Sequence, residues 1–168
     1  MSDIHVRELR ECDLETISTA FRVIGWNKPL EQFQRYLSDQ RAGSRMVFVA
    51  DSDGDFAGYV TVIWNSGYPP FRASQIPEIQ DFNVLPRFRQ RGIGTQLLDA
   101  AEAHLAQRSP VIGIGVGMHS GYGAAQRLYV KRGYIPDGRG VVSHEQVVEQ
   151  GATVCNDDDL IYLTKKVR

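Results

Sequence analysis

Apolar and polar positions alternate along the chain in two rhythms, one of period two and one of three to four residues, and the two interleave. Ile4 to Leu9 reads as a short strand, and Asp13 stands as a helix N-cap before apolar positions at Leu14, Ile17, Phe21 and Ile24 that end near Gly25. Pro29 suits the first turn of a second helix, in which Leu30, Phe33 and Leu37 recur until Gly43 breaks the pattern. Met46 to Ala50 and Phe56 to Trp64 are β-rich runs joined through Asp53-Gly54, a hairpin signal, and so are expected to be antiparallel neighbours. Asn65 to Ser74, rich in Pro, Gly and Ser, reads as an exposed loop near a ligand. Glu78 to Leu85 is the next strand, ended by Pro86. A helix begins near Gly92, with Leu97, Leu98, Ala101 and Leu105 as its buried stripe.

Val111 to Val116 follows as a strand, and Ala124 to Arg132 as a helix closed by Gly133. The strand–helix–strand succession at the centre implies parallel pairing. After Tyr134-Ile135-Pro136 the chain reads as irregular and polar, through Asp157-Asp158-Asp159, until a last strand from Leu160 to Thr164. No internal repeat or linker interrupts this order. The expectation is one α/β (α+β) domain over residues 1–168, a mixed central sheet flanked by helices.

Composition narrows the function. At 168 residues, with 42% hydrophobic and 23% charged, the chain falls among soluble globular domains. Nineteen Lys and Arg against twenty Asp and Glu leave a net charge of -1, so no broad electrostatic footprint for nucleic acid or anionic membrane exists and any basic function must be local. Cys12 and Cys155 have no CxxC spacing and are expected to be reduced. His5, His104 and His144 show no ligand spacing, so no metal is expected. The first residues lack a secretory pattern and no segment is long enough to span a bilayer, which makes the cytoplasm the expected compartment.

The local basic function is concentrated in Pro86-Arg87-Phe88-Arg89-Gln90-Arg91-Gly92-Ile93-Gly94. Three guanidiniums and two positions without Cβ lie between a strand end and a helix start, where unpaired N–H groups carry partial positive charge and glycine admits an anion's oxygen. The third glycine of a dinucleotide fingerprint is missing, as is the Gly-Lys-Ser/Thr of a P-loop, so a different phosphate ligand is implied. On the next strand, Gly113, Gly115 and Gly117 share one face and Ile112, Ile114 and Val116 the other, a bare face that something else approaches closely.

Arg89-x-x-Gly92-x-Gly94 after Asn83-Val84-Leu85-Pro86 resembles the acyl-CoA-binding motif of the GCN5-related N-acetyltransferase (GNAT) superfamily, and the resemblance spans most of the chain. It implies that Arg89, Gln90, Arg91, Gly92, Ile93, Gly94 and Thr95 hold the pyrophosphate of acetyl-CoA. It implies also that the two central strands splay apart, so that main-chain groups of Phe82, Asn83 and Val84 pair with the pantetheine arm. Leu128-Tyr129-Val130-Lys131-Arg132-Gly133-Tyr134 is similar to the family's helix segment whose tyrosine, here Tyr129, faces the CoA sulfur. Where many members carry asparagine seven residues earlier this chain has Tyr122, which weakens one expected contact. His119 and Ser120 follow the glycine strand and could face the acyl group or the cofactor's hydroxyls.

Acyl transfer to an amine needs a proton acceptor, since a lysine-like amine of pKa about 10.4 is protonated at neutral pH. Glu78 and Asp81 are the carboxylates of the central strand. Glu78, fourteen residues before Gly92, resembles in spacing the general-base glutamate of the histone acetyltransferase branch. Alternation puts Glu78 with Phe82 and Val84 and Asp81 on the opposite face, so without a bulge only one reaches a common cleft. The expected reaction is N-acetylation of a small-molecule or protein amine, with Trp26, Trp64, Tyr68 and Phe71 as pocket wall or as loop anchors. A catalytically idle acyl-CoA-binding module and an unrelated nucleotide-dependent enzyme are the rival readings. Edge strands permit a homodimer.

Overall fold

The computed structural model describes residues 3–156 and 160–168; the polar Asp157-Asp158-Asp159 run lies outside them. In chain order the elements are β1 (Ile4–Glu8), α1 (Leu14–Val23), α2 (Leu30–Arg41), β2 (Arg45–Ser52), β3 (Asp55–Ile63), α3 (Pro69–Ala73), β4 (Glu78–Val84), α4 (Ile93–Ala106), β5 (Val111–Gly117), α5 (Gly123–Lys131), β6 (Ile135–Ser143), β7 (Gln146–Val147) and β8 (Leu160–Lys166). They group into two compact units, Met1–Ile63 with Gln80–His104, and Trp64–Ile79 with Leu105–Arg168.

In the first unit β1, β2, β3 and β4 are successive neighbours, and β2 and β3 are antiparallel as the hairpin signal predicts. Asp53 and Gly54 both have positive φ, 53° and 88°, the mirror-type turn that matches strand twist. Ile17 and Phe21 of α1 and Phe33 and Leu37 of α2 are buried. The Tyr59 ring of β3 sits edge-on to Phe21 at 5.7 Å and to Phe33 at 5.4 Å, so one strand residue ties both helices to the sheet. Asp13 does not cap α1 through its side chain. Its carboxylate instead takes both terminal nitrogens of Arg7, at 2.7 and 2.8 Å, and the Arg10 N–H at 2.7 Å, closing the 3-10 turn that precedes the helix. Pro29 is the N-cap of α2 rather than its first residue.

In the second unit β5 pairs in parallel with the start of β4 through Glu78↔Gly113 and Ile79↔Ile114, where the registered pairs stop. On its other side β5 pairs antiparallel with β8 over its whole length, and β6 and β7 follow. Two elements here depart from the sequence reading. The 65–74 loop contains α3, started by Pro69 and Pro70, whose fixed φ suits a first turn. The segment after Tyr134 holds β6, which bulges against β8 between Pro136 and Val141, with Gly138 and Gly140 at positive φ. No helix among the described residues is long and apolar enough to cross a membrane.

The bare glycine face of β5 is covered by aromatic side chains of the same unit. A Cβ on Gly113 would lie 2.1 Å from the Phe71 ring, and one on Gly117 2.3 Å from Tyr122. Tyr68 and Phe71 are thus core anchors, packed with Tyr162, whose ring stacks on Tyr68 at 3.8 Å. Gly113→Ala is expected to destabilise the fold by overpacking, by about 1–3 kcal/mol, read as a lowered midpoint in thermal denaturation against an unaltered control.

Candidate active site

The turn after β4 is built by three local rules. Pro86 starts a 3-10 turn that buries Phe88, and Arg87 and Arg91 lie over the Phe88 ring, 4.6 and 5.5 Å from its centroid. Gln90 and Gly92 then take positive φ, 61° and 84°, before Gln96 N–H donates to the Gly92 carbonyl and opens α4. Alternating backbone hands of this kind aim successive N–H groups into one concavity, and the first N–H groups of a helix have no intrahelical partner. Arg89, Gln90, Arg91, Gly92 and Thr95 are exposed; Ile93 is buried and anchors the helix start. A Cβ on Gly92 would meet nothing within 4 Å, so its need is conformational. One on Gly94 would come 3.0 Å from the Phe82 ring and 3.7 Å from Val84.

Arg89 reaches back, its Nε donating to the Val84 carbonyl at 3.2 Å, while its guanidinium lies 5.8 Å from the Trp26 ring centroid. Phe82, Asn83, Val84, Arg89 and Gly94 are therefore brought together. Arg89, the start of α4 and the end of β4 thus place a guanidinium beside exposed backbone.

Asp81 occupies a different setting from the one alternation predicts. Its φ is +45°, a left-handed conformation in the middle of β4. Its carboxylate accepts from five donors: Lys28 Nζ and the Tyr59 hydroxyl at short range, Gln32 Nε2 at 2.8 Å, the Tyr36 hydroxyl at 2.9 Å and Asn83 Nδ2 at 2.8 Å. Burial alone would raise this carboxyl, but the charge and hydrogen bond of Lys28, with the Tyr59 and Tyr36 hydroxyls, outweigh it and hold Asp81 below the usual carboxylate range. Burial and the Asp81 charge push the Tyr59 and Tyr36 hydroxyls well up. A carboxylate so engaged is a poor proton acceptor. Gln32 and Tyr36, four residues apart, lie on one face of α2, and Lys28 comes from the connection before it.

In the second unit Glu78 is buried, 4% exposed, and its carboxylate accepts the Ser66 hydroxyl; Ser66 Oγ in turn accepts the Tyr68 N–H at 3.0 Å. Tyr129 on α5 is also buried, and burial, with Tyr122 nearby, pushes its hydroxyl above the ordinary tyrosine value. It remains protonated at neutral pH. Tyr122, the residue that replaces the expected asparagine, covers Gly117 and lies 4.7 Å from the His119 ring. Gln126 Nε2 donates to the Gly117 carbonyl at 2.8 Å. His119 Nδ1 accepts the Gly121 N–H at 3.1 Å, a turn-capping role, and Ser120 is exposed beside it. Cys12 and Cys155 are free and exposed.

An archaeal protein of Archaeoglobus fulgidus described as an uncharacterized N-acetyltransferase is 34% identical over 77 residues, 46% of this chain and 50% of that protein. The chain thus spans about half the length of the curated relative it matches. Among solved structures, an N-acetyltransferase of Staphylococcus aureus superposes with a TM-score of 0.74 at 16% identity, covering 99% of this chain and 100% of that one. The yncA protein of Salmonella typhimurium, solved with its cofactor acetyl-CoA, gives 0.70 at 18% identity over 98% and 94%. These show the shared α/β fold, a mixed sheet flanked by helices. Residues 7–134, from β1 through the basic turn to the end of the α5 motif, match the acetyltransferase (GNAT) family, and the chain belongs to that family.

Proposed function

We propose that the protein is an acyl-CoA-dependent N-acyltransferase, a single domain over residues 1–168 working in the cytoplasm, that moves acetyl from acetyl-CoA to a primary amine in a ternary complex. The observation that carries this reading is the Gln90–Thr95 turn: positive φ at Gln90 and Gly92, an open α4 start and three flanking guanidiniums. The residues fit a diphosphate, because the turn leaves space at Gly92 and supplies both charge and backbone donors. When bound, acetyl-CoA supplies a thioester whose acyl carbon passes to the amine nitrogen as the carbon–sulfur bond opens.

Every other role falls to side chains and backbone of this chain. Arg89 and the amides of Gln90 to Thr95 hold charge, and the main chain of Phe82, Asn83 and Val84 pairs with the pantetheine amides as an added strand would. Glu78 takes the proton lost by the amine, since Asp81 is fully engaged elsewhere. Tyr129, kept protonated by burial, holds the proton needed by the departing sulfur. Incubation with acetyl-CoA and a panel of small amines and peptides, followed by free-thiol detection, tests the reading. Thiol released in step with acetylated amine is the expected result; no acetyl-CoA binding, or no amine product from any acceptor, overturns it.

The Trp26–Arg89 contact gives an optical prediction. The chain has two tryptophans, and Trp64 lies under Arg108, 4.1 Å from its ring centroid. Acetyl-CoA that draws Arg89 toward its diphosphate lifts the cation off Trp26, so saturable change in tryptophan emission is expected in the unaltered protein and its loss in Trp26→Phe. An undiminished change in that variant contradicts the assignment to Arg89.

A further inference from the structure

We propose that Asp81 is a positioning residue whose carboxylate, gripped from the α1–α2 connection, α2 and β3, locks the left-handed kink of β4 and fixes how the main chain of Phe82, Asn83 and Val84 is presented. The consequence for turnover rests on the acyl-CoA reading of those three residues; the clasp itself is independent of it. A non-glycine residue at positive φ within a strand is disfavoured and persists only where its surroundings over-determine it. Here they do. Lys28 comes from the connection, Gln32 and Tyr36 from one face of α2, Tyr59 from β3, and Asn83 from β4 two residues on.

Four of the five donors are themselves held. Tyr59 lies between Phe21 and Phe33; Arg45 covers the Tyr36 ring at 4.3 Å; Gln32 also donates to the Tyr36 hydroxyl at 3.0 Å; the Lys28 carbonyl accepts from Ser18. Across the kink, a Cβ on Gly58 would lie 2.4 Å from the Asn83 carbonyl oxygen, so β3 makes room for the displaced strand at the one position without a side chain. The Gly58 gap and the five donors, Asn83 among them, all converge on the segment that precedes the basic turn.

The charged or titratable groups facing Asp81 are Lys28, Tyr36 and Tyr59, with Arg45 behind Tyr36. The ionised clasp is present above the unfolded carboxyl value of about 3.9 and is lost only as pH falls through its lower folded value. Removing Lys28 brings that loss to higher pH.

The test measures acetyl-CoA affinity by calorimetry, steady-state rates against pH, and amide hydrogen exchange at Phe82, Asn83 and Val84. For Asp81→Asn the expected result is a loss of acetyl-CoA affinity on the order of ten- to a hundredfold, faster exchange at the three amides without ligand, and an unchanged acidic limb of kcat. Tyr59→Phe and Lys28→Met are expected to show the same changes in smaller measure, and Lys28→Met alone to lose affinity as pH is lowered into the mildly acid range. Should Asp81→Asn fail to fold, these two variants decide. Unchanged exchange and affinity in all of them overturn the proposal, as does an Asp81→Asn enzyme of normal affinity that has lost the acidic limb, which would make Asp81 the base. An unaltered protein that binds no acetyl-CoA but shows the exchange pattern overturns the acyl-CoA reading and leaves the clasp standing.

Discussion

Tyr129→Phe is expected to bind acetyl-CoA as tightly as the unaltered protein and to turn over about a hundred- to ten-thousandfold more slowly, the span of a lost general acid. The substitution removes one oxygen from a buried ring that packs 6.0 Å from Tyr134, so the helix and its contacts stay in place. The hydroxyl is held protonated by burial, with Tyr122 adding to it. Because the folded hydroxyl ionises above the ordinary value, activity should persist past pH of about 10 and then fall, and the phenylalanine variant should lack that limb. Equal kcat in the two proteins with a genuine acceptor removes Tyr129 from this role.

Gly92→Val and Gly94→Val are each expected to lose acetyl-CoA affinity by about ten- to a hundredfold, for different reasons. At Gly92 space is ample but φ is +84°, a conformation that costs a β-branched residue about 1–2 kcal/mol or more and re-forms the turn that aims the amides. At Gly94 the helix accepts a side chain, but its Cβ comes 3.0 Å from the Phe82 ring and pushes on the strand that leads into the turn. Calorimetric titration separates these from stability changes measured by thermal denaturation. Unchanged affinity in both variants refutes the placement of the diphosphate.

Much of the frame was legible because local chemistry declared it. Asp53-Gly54 needed two positive φ angles and has them; Pro86 and Gly92 bound the basic turn; the central strand–helix–strand succession gave the parallel pair Glu78↔Gly113. β6 was not legible, because Pro136, Gly138 and Gly140 erase alternation in a strand that bulges. The glycine face of β5 announced a close approach but not its agent, since Phe71 and Tyr122 come from segments whose register no spacing reveals. Asp81 departs from simple alternation for a related reason. Simple alternation assumes an extended residue, and a carboxylate stabilised by tertiary donors can hold φ at +45° against local preference. Lys28, Gln32 and Tyr36 carry no signal in the sequence that a carboxylate lies opposite them.

The most direct test of the account follows backbone amide resonances of the isotopically labelled protein as acetyl-CoA is added. The largest shifts are expected at Gln90 through Thr95, Gly92 and Gly94 foremost, with a second group at Phe82 to Val84. Saturable binding that leaves the Gln90–Thr95 amides unmoved would contradict it.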